Sequence, residues 1–284
     1  MVRSDIMQRN AQELRLMIID MIHRAGSGHS GGSLSIAEIL TVLYDEVLRF
    51  RPEEPYWPDR DRFVLSKGHG APALYAILAR KGIINKEELD TLRQLGSCLQ
   101  GHPCMFKLPG VEMSTGSLGM GISVGVGMAL AAKLQEKDYK VFVLCGDGEL
   151  QEGQNWEAFM SIAKWKLDNL VVIIDRNSVQ LDGTVDEIMP LGDLKSKLEA
   201  FGLAVISCNG HDTAELQHVF ARAEKLKGPV AIIANTVKGK GVSFMEGKSI
   251  WHGKTIGKEE YEQAIKEIKA TLADPESYGK EAHK

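Results

Sequence analysis

The sequence predicts an α/β fold: a doubly wound, mostly parallel sheet with helices on both faces. Three observations indicate this fold. Several apolar runs, such as VFVLC and LVVIID, are uninterrupted, which is typical of strands covered on both sides. Helical segments alternate with these runs along the chain. Glycines and polar residues follow the runs, at the carboxyl ends where open parallel sheets bind ligands.

The first third of the chain is predicted to be mostly helical. Residues 5–25 carry apolar side chains close to a 3.6-residue period, which predicts an amphipathic helix. Ser35, with Glu38 three positions later, is typical of a capping box and predicts a second helix over residues 35–49. The other elements of this third are a strand at 62–66 and helices at 71–81 and 86–95.

The rest of the chain alternates between strands and helices. Residues 116–134 open with glycines and continue as an apolar helix of small residues, which suits close packing against a sheet. The strands are expected at 140–145, 169–175, 203–208 and 229–237, and the helices at 151–166, 193–201, 213–227 and 258–272. Because no repeat or low-complexity linker interrupts the chain, we expect one domain over residues 1–284, with 258–284 as a polar helical C-terminal tail.

Composition excludes several classes of protein. The net charge of −4 and the pI near 6.1 give no basic excess for nucleic acid, and no basic block suggests a membrane surface. No apolar run is long enough for a signal peptide or a transmembrane span. The four cysteines lack C-x-x-C spacing, and Cys145 and Cys208 each close an apolar run as expected of buried thiols. We therefore expect a reduced, cytoplasmic protein.

Two strand ends predict a site for a hard cation. Asp147 lies between Gly146 and Gly148 directly after one strand, and Asn177 follows the next strand 30 residues later. If the two strands are neighbours, the carboxylate and the carboxamide converge, and Mg²⁺ prefers such oxygens together with phosphate and water. The glycines would admit a diphosphate, and a helix starting near Gln151 would add its positive end. A lone Gly-Asp-Gly is more often a turn, but the paired strand ends favour the cation site.

Five of the eight histidines adjoin a glycine in predicted loops: His29, His69, His102, His211 and His252. Loop histidines on a rigid sheet are candidates for catalysis because imidazole titrates near neutral pH. Each one alone is more often a turn residue or a satisfied polar contact. No pair has the helical spacing of a zinc site, so a structural metal is disfavoured.

The segment GDGELQEGQNWEAFMSIAKWKLDNLVVIIDRNSVQLDG resembles the thiamine diphosphate motif and, more narrowly, the cofactor-binding domain of transketolases. The resemblance extends from about residue 10 to residue 255 and implies the thiamine diphosphate-binding fold, as a diphosphate-type domain. It implies that Asp147, the Asn177 side chain and the Val179 carbonyl hold Mg²⁺, for which Ca²⁺ or Mn²⁺ can substitute. It also implies that Gly148 contacts the diphosphate.

Further segments of the same resemblance are SGHSGG, LSKGHG, GHP…PGVEMSTGSLGMG, TVKGKG and SIWHGK. They imply four catalytic histidines, His29 and His252 near substrate oxygens and His69 and His102 near the thiazolium. The positions implied to bind the cofactor are His69, Gly116, Leu118, Asp147, Gly148, Glu152, Asn177, Lys238 and His252. Glu152 and Glu157 also match acidic positions at the subunit interface, whereas His211 matches no family position and is expected to be a loop histidine.

One loop departs from the family pattern. The histidine of SGHSGG is followed by serine instead of the commoner proline, and Gly31 and Gly32 replace small polar residues. These glycines predict a more flexible loop.

The resemblance implies a transketolase, which transfers a two-carbon ketol group from a ketose or ketose phosphate to an aldose or aldose phosphate. In this family a glutamate on a second, pyrimidine-binding domain activates the cofactor, and that domain is expected after residue 284. We therefore expect the N-terminal subunit of a split transketolase, which is inactive alone. Its expected partner is a C-terminal transketolase subunit, in an assembly with two copies of each chain.

Other functions remain open from the sequence. A deoxyxylulose phosphate synthase or the first component of a 2-oxoacid dehydrogenase would share the Mg²⁺ motif, although the histidine segments favour sugar ketol transfer. A non-catalytic module that binds magnesium and diphosphate is a second alternative. A dehydrogenase is disfavoured because Gly26, Gly28 and Gly31 match G-x-G-x-x-G after a helix instead of a strand.

Overall fold

A five-stranded sheet forms the centre of the computed structural model, which describes residues 3–273. The strands are β1 (Arg62–Leu65), β2 (Val141–Gly146), β3 (Leu170–Arg176), β4 (Ala204–Asn209) and β5 (Val230–Asn235). Their order across the sheet is β1-β2-β3-β5-β4, and every neighbouring pair is parallel. The predicted α/β class is confirmed.

Helices cover both faces of this sheet. In chain order they are α1 (Arg3–Ala25), α2 (Ser30–Leu34), α3 (Ala37–Val42), α4 (Ala71–Arg80), α5 (Met120–Leu134), α6 (Gly153–Lys164), α7 (Val185–Ile188), α8 (Leu194–Ala200), α9 (Thr213–Lys225) and α10 (Lys258–Ala273). Helices α1, α3, α4, α9 and α10 pack on one face, and α5, α6 and α8 pack on the other. No helix within residues 3–273 is long and apolar enough to cross a membrane.

The uninterrupted apolar strands serve two cores. Successive side chains of a strand point to opposite faces, so Phe142 and Leu144 of β2 pack into the α1 side. Val143 and Cys145 of the same strand pack against α5 and α6. The thiols of Cys145 and Cys208 are buried, as expected from their places at the ends of apolar runs.

The prediction of a helix over residues 35–49 is wrong about where the helix starts and about its being α-helical throughout. Ser35 ends α2 instead of capping a helix, and its hydroxyl donates to Oδ2 of Asp175 at 2.8 Å. Glu38 pairs with the buried Arg15 at 2.5 Å. Tertiary partners therefore replace the local capping box. The helical segment starts at Ala37 and continues as a π-helical turn over Leu43–Val47.

Other element boundaries also differ from prediction. The helix expected over 86–95 is only a 3₁₀ turn, Lys86–Thr91, and the chain then takes a left-handed conformation at Arg93. The helix expected from residue 116 begins at Met120, because Gly119 has a φ of +89°. Of the predicted 258–284 tail, α10 accounts for the part up to Ala273, and residues 274–284 lie outside the described residues.

The sheet brings the two predicted ligand-bearing strand ends together. Strands β2 and β3 are direct neighbours, with Gly146 opposite Asp175. Strand β5 lies on the other side of β3, with Ala234 opposite Asp175. The carboxyl ends of all three strands therefore meet at one edge of the sheet.

Candidate functional site

Asp147 is a buried carboxylate at the end of β2, with 3% of its surface exposed. Its Oδ2 accepts the backbone N–H of Ser178 at 2.6 Å, and its Oδ1 accepts that of Gly148 at 2.9 Å. Burial, and then the nearby Asp175 charge, raise the pKa of Asp147 to about 6. A cation bound at this carboxylate would offset both effects.

Asn177 and Val179 lie in the loop after β3, where the backbone turns through Ser178 at a φ of +60°. The amide nitrogen of Asn177 donates to Oδ2 of Asp175 at 2.8 Å, and its Oδ1 accepts the N–H of Val179 at 3.1 Å. Because a carboxylate only accepts, Asp175 fixes which end of the amide is oxygen.

The Val179 carbonyl accepts a hydrogen bond from Nζ of Lys238 at 3.1 Å. A cationic group therefore lies on one of the oxygens that the sequence assigns to a metal. Carboxylate, carboxamide and carbonyl oxygens are the ligands of a hard cation, so the residues present fit Mg²⁺. Within residues 3–273 no group of three or more His, Cys, Asp or Glu side chains could hold a metal ion, so any cation bound here would also need amide, carbonyl, phosphate or water oxygens.

Asp175 is the centre of a buried network that the sequence reasoning missed. Its Oδ2 accepts from Nζ of Lys67 at 2.5 Å as well as from Ser35 and Asn177, and its Oδ1 accepts from Thr236. Burial alone would raise the pKa of Asp175, but the Lys67 ammonium holds it below its ordinary value. A carboxylate as the last inward residue of a buried strand was the available sequence signal.

Glu149 connects β2 to the glycine-rich segment before α5. Its carboxylate accepts the N–H of Gly146 at 3.0 Å and that of Gly119 at 2.9 Å, and it also accepts from the Ser66 hydroxyl. This contact fixes the segment that carries the predicted positions Gly116 and Leu118.

Gly116 needs to be glycine here. It has a φ of +142°, and a Cβ at this position would lie 3.1 Å from the His102 ring. Leu118 is 37% exposed beside it. At Gly148 a Cβ would lie 3.1 Å from the Gln180 side chain, so this backbone is also approached closely.

Four of the five loop histidines form one cluster. The ring centroid of His29 lies 5.3 Å from that of His252, 5.7 Å from that of His102 and 5.8 Å from that of His69. The rings of His69 and His252 are 4.8 Å apart. These are the four histidines that the sequence analysis grouped, although they come from four separate loops.

The histidine cluster (His29, His69, His102 and His252) is neutral at physiological pH. Burial, and then the Arg93 cation, lower the pKa of His29 to about 4. Burial, and then the Lys238 ammonium, lower the pKa of His252 to about 3. The pKa values of His69 and His102 are lowered as well, again mainly by burial.

The loop around Gly31 and Gly32, for which the sequence predicts flexibility, is closely packed. Both glycines are buried in α2. A Cβ at Gly31 would lie 2.8 Å from the Trp251 carbonyl oxygen, and one at Gly32 would lie 3.0 Å from the His69 ring. The glycines permit close packing behind the cluster.

His211 lies outside the cluster and is buried, with 7% of its surface exposed. Its Nδ1 is 3.0 Å from Oε2 of Glu38, and its Nε2 accepts the N–H of Val237 at 2.8 Å. The Glu38 carboxylate also binds Arg15. His211 therefore braces the segment that carries Lys238 and is more than the loop histidine expected from the sequence.

Glu152 and Glu157 lie exposed at the start of α6. Glu152 packs on Gly119, where an added Cβ would lie 2.7 Å from the Cβ of Glu152. Two methionines on α5 and α6 are also exposed, since Met120 of α5 and Met160 of α6 are 43% and 56% exposed.

Residues 6–276 match the family model described as "Transketolase, thiamine diphosphate binding domain". The chain is 44% identical to one subunit of the apulose-4-phosphate transketolase of Phocaeicola vulgatus, over 93% of this chain and 94% of that protein. It is also 44% identical to "6-deoxy-6-sulfo-D-fructose transketolase subunit SqwG" of a Clostridium species, over 92% of this chain and 96% of that protein.

Among solved structures, the chain is similar to a transketolase from Campylobacter jejuni, with a TM-score of 0.88 and 39% identity. The match covers 94% of this chain but only 43% of that one. The chain thus spans less than half the length of that transketolase, whereas it spans nearly the whole of the two subunits.

Proposed function

The chain belongs to the transketolase thiamine diphosphate-binding domain family, and from this premise we propose that it is the N-terminal subunit of a two-chain transketolase. The observation that carries the proposal is the convergence of four neutral histidines, together with the neighbouring strand ends that bear Asp147 and Asn177. Binding a diphosphate and a cation alone would not require such a cluster of histidines.

We propose that Mg²⁺ is held by Asp147, Asn177 and the carbonyl of Val179, with Ca²⁺ or Mn²⁺ as substitutes. The oxygen-only donor set and the buried Asp147 carboxylate support this assignment. Gly148 and the first turn after β2 would lie along the diphosphate, and Gly116, Leu118 and Lys238 beside the rest of the cofactor. Bound thiamine diphosphate supplies the carbanion and electron sink for cleaving and forming the carbon–carbon bond.

The residues of the chain bind and orient the sugar around this cofactor. The rings of the histidine cluster are neutral and partly accessible, so each can donate or accept one hydrogen bond at a sugar oxygen. We assign His29 and His252 to the substrate oxygens and His69 and His102 to the side of the thiazolium. The substrates are proposed to be a ketose and an aldose, or their phosphates.

We further propose that activity requires a C-terminal partner subunit with a pyrimidine-binding domain, in an assembly with two copies of each chain. Two relatives that the chain covers almost completely are each called a subunit, which supports this. The exposed surface of Met120, Met160, Glu152 and Glu157 is the proposed docking face.

The test is a ketol-transfer assay with thiamine diphosphate and Mg²⁺. The purified chain alone should show no turnover, and addition of the partner subunit should restore it. Substantial turnover by this chain without any partner would refute the split-subunit proposal. His252→Ala should slow turnover of the assembly and leave cofactor affinity largely unchanged, whereas a module that only binds the cofactor predicts no catalytic loss in any histidine variant.

A further inference from the structure

Two histidines of the cluster each have a cationic side chain next to the Nδ1 atom of the ring. Nη2 of Arg93 lies 3.1 Å from Nδ1 of His29, and Nζ of Lys238 lies 3.0 Å from Nδ1 of His252. Guanidinium and ammonium groups only donate hydrogen bonds, so each Nδ1 must accept. A neutral imidazole that accepts at Nδ1 carries its proton on Nε2.

This inference rests on the proposed function. We propose that Arg93 and Lys238 are positioning residues that fix His29 and His252 as Nε2–H tautomers. Both rings then act as neutral hydrogen-bond donors to sugar oxygens and not as the bases that accept a proton.

Arg93 is exposed, but several contacts hold its guanidinium beside His29. Its backbone has a φ of +60°, a conformation that a residue with a side chain adopts only at a cost, and its N–H donates to the Leu99 carbonyl at 2.9 Å. Its Nη1 donates to the Ser27 hydroxyl at 2.8 Å. A Cβ at Gly101 would lie 3.1 Å from the guanidinium, so this glycine makes room for it.

Lys238 is held as firmly on the other side of the cluster. Its side chain is buried, with 2% of its surface exposed, and packs against Gly31. The ammonium donates to the Val179 carbonyl as well as to His252.

The proton-bearing nitrogens of the two rings are left for the substrate. No residue among 3–273 accepts a hydrogen bond from Nε2 of His29 or His252, and the two rings are 5.3 Å apart. A neutral N–H donor in a desolvated site stabilises negative charge that develops on an oxygen. Groups whose tautomer is not fixed can accept the proton instead. The rings of His69 and His102 are such groups, because they make no hydrogen bond with the described residues.

The first experiment reads the tautomers directly, by nitrogen-15 NMR of the histidine rings in the full chain. We expect His29 and His252 as neutral Nε2–H forms at pH 7. Arg93→Met should convert His29 to a mixture of tautomers and leave His252 unchanged, while Arg93→Lys should restore the single form because a donor returns. The exposed Arg9, which pairs with Glu13 at the surface, provides the control variant Arg9→Met. An Nδ1–H form of either ring in the unmodified chain would overturn the inference.

The second experiment separates donation from proton acceptance in the assembled enzyme. Glutamine can place an N–H near the position of Nε2 but cannot take up a proton. His29→Gln and His252→Gln should therefore keep turnover within about tenfold, while the alanine variants lose about 100- to 1000-fold, the effect of removing one such donor. Equal losses for glutamine and alanine would mean that the rings act as bases. A wild-type assembly without ketol transfer would refute the proposed function, but the NMR result would still decide the tautomers.

Discussion

At the carboxyl edge of the sheet, the orientation and charge of single side chains are set by partner groups that cannot be identified from the sequence. Asn177 can present an oxygen to a cation only if its amide is held the right way round. Asp175 does this by accepting from Nδ2 at 2.8 Å, and Lys67, at 2.5 Å from the same carboxylate, neutralises it. The charge that fixes the proposed metal ligand is thus supplied by a strand residue and a loop lysine more than 100 residues earlier.

Asn177→Ala tests the metal assignment at this scale. Loss of the carboxamide should weaken Mg²⁺-dependent binding of thiamine diphosphate by about tenfold to a hundredfold, the range found when groups around a metal are removed. Titration calorimetry of the assembled enzyme measures this directly. Asn169→Ala is the matched control, because Asn169 lies just before β3 at its opposite end and binds the Ala129 carbonyl. Unchanged affinity in Asn177→Ala would count against the metal site.

At the scale of elements, the loops at the carboxyl edge are fixed from behind by buried charge. The segment after β5 carries Lys238, and its Val237 N–H donates to His211. His211 in turn contacts Glu38 of α3, which pairs with Arg15 of α1. Burial opposes the ionised form of Glu38, but Arg15 and His211 lower its pKa to about 2, so the carboxylate stays charged.

His211→Ala is expected to loosen the segment after β5. The change removes a hydrogen bond from Val237 and a partner from the fully buried Glu38, which should lower the free energy of unfolding by about 1–3 kcal/mol. Amide exchange at Val237 should accelerate more than exchange within β5. The exposed His218 on α9 offers the control, since His218→Ala should change neither quantity. Unaltered exchange at Val237 would show that His211 does not brace this segment.

The exposed face of α5 and α6 can be tested as the docking face of the partner. Met160 is 56% exposed, and a charge there should weaken assembly because the apolar contact is replaced by a desolvated carboxylate. Met160→Glu should therefore reduce co-purification with the partner subunit while leaving the isolated chain folded. Ile6→Glu, at another residue that is about half exposed, serves as control. Equal assembly of both variants would place the partner elsewhere.

For the whole molecule, the neutral histidine cluster links stability to pH. The pKa of His29 falls from an ordinary 6.5 to about 4 on folding, and that of His252 falls to about 3. At these two rings the unfolded chain binds more protons than the folded one between these limits, so their contribution to stability rises with pH, whereas the raised pKa of Asp147 acts in the opposite direction. Acidification from pH 6.5 toward 4 should therefore lower the contribution of the two rings to the free energy of unfolding.

Urea unfolding at pH 7 and pH 5 measures this linkage. His252→Gln should reduce the difference in the free energy of unfolding between the two pH values, because one partly buried neutral imidazole is removed. His218→Gln, at an exposed position outside the cluster, should preserve the difference. A His252→Gln chain with the same pH difference as the wild type would contradict the pKa shift of His252.

The sequence by itself determined the fold class, the parallel strands and the two strand ends proposed to carry metal ligands, since apolar runs and the residues that follow them are local features. It also grouped the four cluster histidines, through segments that resemble a family. Element starts were less accurate where tertiary bonds outcompete local ones, as at Ser35, whose hydroxyl binds Asp175 instead of capping a helix.

Only the tertiary structure decided which groups set the chemistry of these residues. The contacts involved join residues from different segments of the chain. They are the contacts of Arg93 with His29, of Lys238 with His252, and of Asp175 with Asn177 and Lys67. Tautomer, amide orientation and pKa depend on distances of about 3 Å and on burial, and no local pattern in a sequence contains either quantity.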